Sequence, residues 1–146
     1  ASDKLDALRA NVSARSLLNA AKTGLDQRLW SDRQVKVLRA TARLPQVDRV
    51  FVNPHIKREL CRLNLGREGW LSRIRPWYGH DDHFHMRLAC PGDSPACVRQ
   101  ASLPEGDGCD ASLAWWFEVH PPEPVKPAPP KPPLPTACLS VLKAGP

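Results

Sequence analysis

The chain has 146 residues, 42% of them hydrophobic and 25% charged, with a formal net charge of +6, which is the length of one ordinary domain with enough chain to bury its own core. No stretch approaches the ~20 apolar residues of a membrane span, and ASDKLDALRA lacks the charged start and apolar run of a signal peptide, so no membrane insertion is expected; the chain reads as soluble, either a mature product or a fragment. The dispersed basic residues favour an anionic partner, but no recognised motif accompanies them and nucleic acid is not expected to be it.

Within SARSLLNAAK, Leu17, Leu18, Ala20 and Ala21 predict a short helix closed by Gly24. Ser31-Asp32-Arg33-Gln34 has the form of a capping box, predicting a helix to about Leu44. Its Val35, Leu38 and Ala42 share one face, Arg33, Lys36 and Arg43 lie largely elsewhere, and Pro45 ends it. VDRVFVNP, from Val47 to Pro54, is β-branched and aromatic and predicts a buried strand running into a turn. HIKRELCRLN has a helical interval at Ile56, Leu60 and Leu63, with Asn53 or Pro54 as its cap.

After a loop marked by Gly66 and Gly69, Trp70 to Gly79 predicts a strand or extended segment with Trp70, Ile74 and Trp77 as its apolar residues. Asp82 to Cys90 alternates as a strand does: Phe84, Met86 and Leu88 are expected on a core, and His83, His85 and Arg87 on the opposite, exposed face. Beyond Cys90 lie loops and one apolar patch, Leu113 to Phe117. PPEPVKPAPPKPPLP, residues 121–135, predicts polyproline II. The folded part is therefore expected within residues 1–120, with 121–146 a proline-rich tail. The fold class expected is α+β: a small, mainly antiparallel sheet with strands near 48–53 and 82–90, helices near 32–44 and 55–64 packed on it, and an irregular disulfide-linked region after it.

Chemistry concentrates in His80-Asp81-Asp82-His83-Phe84-His85. On a strand, residues i and i+2 share a face, so His83 and His85 can converge on one ion or reacting group. A catalytic zinc site takes three protein ligands and an open position, so two imidazoles do not suffice; if one binds metal, the other is free to act as general base. The alternative is a plain His-x-His on a surface sheet. His55 and His120 have no companions and read as ordinary surface or partly buried histidines. The five cysteines resemble a disulfide framework more than cytosolic thiols. Cys90 and Cys97 are too far apart for a structural zinc pair and read as a disulfide closing PGDSPA. Because five is odd, one cysteine is free, pairs with another chain, or has lost its partner.

Taken in order, RVFVNPHIKRELC, RIRPWYGHDDHFHMRLACPGDSPAC, GDGCDASLAWWFE and a proline-rich tail ending in a cysteine resemble the penicillin-insensitive murein endopeptidases, periplasmic zinc enzymes of the LAS metallopeptidase group, over about residues 48 to 140. The resemblance implies that His85 is a zinc ligand and that His83 acts on the water or the tetrahedral intermediate. It implies substrate binding or transition-state stabilisation for His80, and places Trp77 and Tyr78 along the cleft. It implies the pairs Cys61 with Cys109 and Cys90 with Cys97, and for Cys138 a partner upstream. The implied reaction is hydrolysis of the D-alanyl–meso-diaminopimelyl amide in cross-linked peptidoglycan. The family's other zinc ligands come from a His-x6-Asp motif, and no histidine here has an aspartate seven residues later. That half of the site is expected upstream, in a missing N-terminal half of the same protein, and the isolated chain is expected to show little activity. The rival expectation is a non-catalytic peptidoglycan-binding or regulatory module.

Overall fold

The computed structural model describes residues 14–63 and 69–120, together with Cys138 and Lys143. The proline-rich segment lies outside the described residues. Residues 17–25 form a tight turn instead of the expected helix. Leu18 and Leu25 pair across it as an antiparallel bridge, Asn19 Oδ1 accepts from the Thr23 N–H at 3.0 Å, and Lys22 takes a left-handed φ of 55°. The asparagine offers the backbone an alternative to the helical ladder, and the turn lets Leu17 and Leu25 pack on the core.

Helix α1 (Asp32–Arg43) begins at the expected capping box, where the Ser31 hydroxyl accepts from the first turn and Gln34 reaches back to the Ser31 N–H. Val35, Leu38 and Ala42 are its buried face. Its C-terminal end is held by Arg73, whose Nη1 donates to the carbonyls of Ala42, Leu44 and Val47 at 3.1, 3.1 and 3.0 Å. A cation there also suits the negative end of the helix dipole.

Strand β1 (Val47–Val52) buries Val47, Val50 and Val52. Asn53 then caps helix α2 (Pro54–Arg62), its side chain accepting from the His55 N–H while Pro54 opens the first turn, where a missing N–H costs nothing. A 3-10 turn at Trp70–Arg73 leads into strand β2 (Ile74–Pro76), strand β3 spans His85–Leu88, and a one-turn helix α3 (Ala111–Ala114) continues as a 3-10 turn through Trp115–Phe117.

The sheet order is β2-β1-β3. Strand β1 runs parallel to β2, with Val50 opposite Ile74 and Phe51 opposite Arg75. It runs antiparallel to β3, with Phe51 opposite His85 and Arg49 opposite Arg87. The α+β class is as expected, and the sheet is mixed because the crossover through α2 returns the chain in the same direction. Helix α1 packs on β1 and helix α2 on β2. Between them Val50, Val52, Leu60, Leu71 and Ile74 are completely buried. Strand β3 departs from expectation: only Phe84 packs against the core, while Met86 and Leu88 are 49% and 56% exposed. It is an edge strand, and neither α1 nor α2 lies over it.

Both expected disulfides are formed, Cys61–Cys109 and Cys90–Cys97, with Cα separations of 5.6 and 5.7 Å. The first fastens the loop before α3 to α2. Lys57 fastens it again: the side chain is fully buried, and its Nζ donates to the carbonyls of Leu71 and Asp107. Burial, and next the Arg75 charge, push its pKa down to about 8.

Candidate metal centre

The outer face of the sheet follows from the strand registers. Phe51, Arg75 and His85 form one row across the three strands, and Arg49 and Arg87 form the row beside it. His83 lies in the segment that enters β3, and His80 follows two consecutive left-handed residues, Gly79 at φ 66° and His80 itself at φ 53°. A left-handed histidine is uncommon and is held only by surroundings that over-determine it. Here the surroundings are Asn53, which is 7% exposed. Its side-chain amide donates to the Gly79 carbonyl at 2.8 Å and its backbone N–H to the His80 carbonyl at 2.9 Å. Asp81 is tied back as well, its carboxylate accepting from the Ser16 hydroxyl and its carbonyl from the Leu17 N–H.

This turn brings three imidazoles together. Ring centroids are 4.4 Å apart for His80 and His85, 4.9 Å for His83 and His85, and 5.1 Å for His80 and His83. One nitrogen from each lies within 4.8 Å of the others. His80 is half-buried, and His83 and His85 are exposed.

The hydrogen bonds assign the tautomers. The Tyr78 carbonyl can only accept, so His80 donates to it from Nδ1 at 2.8 Å. His80 Nε2 therefore carries a lone pair and accepts from His85 Nδ1 at 3.0 Å. His85 Nε2 is left as an open lone pair. Likewise the Asp82 carboxylate accepts a hydrogen bond from His83 Nδ1–H at 2.5 Å, leaving His83 Nε2 open, and the same contact holds Asp82 below the usual carboxylate range. Ring N–H groups anchored to a neighbouring acceptor are how histidines are oriented toward a metal. Two of the three imidazoles keep an open nitrogen, His83 Nε2 and His85 Nε2, and imidazole nitrogen is a donor that zinc accepts.

The full length of the chain carries the family signal. The family model for penicillin-insensitive murein endopeptidases matches residues 1–143. The chain belongs to that family. Curated murein endopeptidases of this kind are 42% identical over 119 residues in Haemophilus influenzae, covering 82% of this chain and 41% of that protein. In Yersinia enterocolitica the figures are 44% over 115 residues, covering 78% and 42%. The chain thus spans about two-fifths of the length of these relatives.

Two cavities flank the histidines of this family member. One, of ≈ 490 Å³, is reached from His83 and Asp82 and is walled by Leu17, Trp30, Leu38 and Phe84. The other, of ≈ 800 Å³, opens over the outer sheet face and is lined by Arg49, Phe51, Trp77, His80, His85 and Arg87 among others. Trp77 and Tyr78 are more than half exposed and extend this second wall, each against Trp116, with centroids at 5.9 and 4.8 Å. His55 packs on Phe117 and His120 stacks on Trp115, so neither joins the cluster.

Sequence patterning missed two contributors: Asn53 was legible only as a helix cap, and Trp116 only as part of an apolar patch. Asp82 stood in the candidate cluster, without its part in orienting His83. Cys138 is exposed and outside the two disulfides. Among the described residues no helix is long and apolar enough to cross a membrane, and two disulfides fit an extracytoplasmic compartment.

Proposed function

We propose that this chain supplies the His-x-His half of the active site of a zinc-dependent murein endopeptidase that hydrolyses D-alanyl–meso-diaminopimelyl cross-links of peptidoglycan in the periplasm. The observation that carries the proposal is the convergence of His80, His83 and His85 with open Nε2 lone pairs on the latter two. Their chemistry fits zinc, and His85 Nε2 is the atom proposed to hold it, with the remaining ligands from a His-x6-Asp motif upstream of this chain. Bound zinc supplies Lewis-acid chemistry, polarising the scissile carbonyl and acidifying water.

His83 Nε2, kept as a lone pair by Asp82, accepts the proton that the attacking water gives up and returns it to the leaving amine. His80 fixes the tautomer and orientation of His85 and is proposed to bind substrate or stabilise the transition state. Trp77 and Tyr78 are proposed to line the substrate cleft. No step needs a serine nucleophile, so β-lactams that acylate serine are expected to leave the enzyme unaffected.

The test uses the full-length protein. His85→Ala is expected to lose both bound zinc, measured by atomic absorption, and release of monomers from cross-linked muropeptides. His83→Ala is expected to keep its zinc and lose about 10²–10⁴-fold in kcat. Undiminished zinc and turnover in His85→Ala would sink the proposal. The isolated chain with added zinc is expected to give little turnover.

A further inference from the structure

We infer that Arg49 and Arg87 form a carboxylate-binding subsite beside the histidine cluster, built for the free carboxylate on the carbon that bears the leaving amine of a meso-diaminopimelyl cross-link. The substrate identity rests on the murein endopeptidase reading; the anion site itself rests on the sheet.

Arg49 and Arg87 are directly opposed across β1 and β3. Cross-strand partners on one face lie about 5 Å apart at Cβ, and like charges in that position repel. A third guanidinium, Arg75, is on the same face, and its pKa is pushed down by burial and next by the Arg49 charge. Asp48 offsets part of this on Arg49, and Asp110 part of it on Arg75. Arg49 Nε donates to the Asp48 carboxylate at 2.7 Å, and its Nη2 donates to the Ala101 carbonyl at 2.8 Å. These bonds clamp Arg49 in place, and its side chain is only 14% exposed. Arg87 is exposed and has no ion pair or hydrogen bond among the described residues. A cationic pair kept together against repulsion, one member clamped and the other unengaged, is arranged to receive an anion.

Location narrows the anion. Arg87 is two residues along β3 from His85 on the same face, about 7 Å by strand rise. Both arginines line the same ≈ 800 Å³ cavity as His80 and His85. A group there lies next to the bond that the histidines would act on, within reach of a carboxylate attached at the carbon of the leaving amine. The planar guanidinium fork suits a carboxylate over a neutral amide, because an amide removes the charge and one acceptor.

The experiment compares two cross-linked muropeptide dimers, identical except that this carboxylate is free in one and amidated in the other. Affinity is measured by calorimetry and cleavage separately, on the full-length protein and its Arg87→Gln and Arg87→Lys variants. The wild type is expected to bind the free acid about ten- to a hundredfold more tightly than the amide. Arg87→Gln is expected to erase that preference by weakening the acid alone, and Arg87→Lys to retain part of it. A wild type without preference, or an Arg87→Gln variant that keeps it, overturns the subsite. Carboxylate-selective binding that depends on Arg87, in a protein that cleaves neither dimer, would uphold the subsite and overturn the endopeptidase reading.

Discussion

On the inner face of the sheet Val50, Val52 and Ile74 are sealed beneath helices α1 and α2. On the outer face the same three strands present Arg49, Phe51, Arg75, His85 and Arg87. The inner positions satisfy every local rule at once: β-branched residues, alternation, complete burial. The outer positions break one, by setting arginine against arginine on neighbouring strands. When one face of a sheet obeys packing and the other defies it, the defiant face is where selection has asked for something besides stability. The faces should therefore respond oppositely to substitution, the inner one in stability and the outer one in binding and turnover.

The largest effect expected belongs to the inner face. Ile74→Ala empties a completely buried site at the centre of the core, and urea denaturation should show a loss in the upper part of about 2–5 kcal/mol. If the loss were under 1 kcal/mol, the core would not depend on this layer and the contrast between the faces would fail.

Lys57 comes next, and it sharpens the comparison because it is a charge placed on the packing side. Its ammonium is held by two carbonyls with its pKa lowered from 10.5 to about 8. Below pH 8 both folded and unfolded chains carry the proton, and the full penalty of the buried charge is present. Between pH 8 and 10.5 the folded chain releases a proton that the unfolded chain keeps, so stability rises with pH. Relative to Lys57→Met, the protein should gain on the order of 3 kcal/mol across that window. Parallel stability-against-pH curves for the two proteins would show that the lysine is not buried as described.

The same contrast explains what was legible in the sequence. Helix α1 was legible because Ser31, Gln34 and Pro45 are local signals and its apolar stripe faces the core. Strand β1 was legible for the same reason. The turn at 17–25 was not: two leucines and two alanines mimic a helical face, and only the Asn19 and Lys22 conformations reveal the reversal. Strand β3 was overextended, since alternation suggested a strand over 82–90 while the pairing with β1 covers only His85 to Leu88. His83 and His85 could be paired from spacing. Bringing His80 to them depends on a left-handed turn pinned by Asn53 from 27 residues upstream, which no periodicity encodes. Lys57 was invisible for a related reason: its acceptors, at Leu71 and Asp107, are backbone carbonyls remote in sequence.

The smallest effect expected is the most discriminating. The Arg87 side chain makes no hydrogen bond or ion pair among the described residues and lies opposite the like-charged Arg49, so Arg87→Gln should raise stability, on the order of 0.2–1 kcal/mol at low salt. The gain should shrink above about 0.5 M salt, where an exposed charge such as that of Arg87 is screened. A residue that weakens the fold by being present is retained for what it binds, so the sign of this small change matters more than its size. If Arg87→Gln lowered stability instead, the arginine would be holding the edge strand, and its place on the outer face would follow from structure alone.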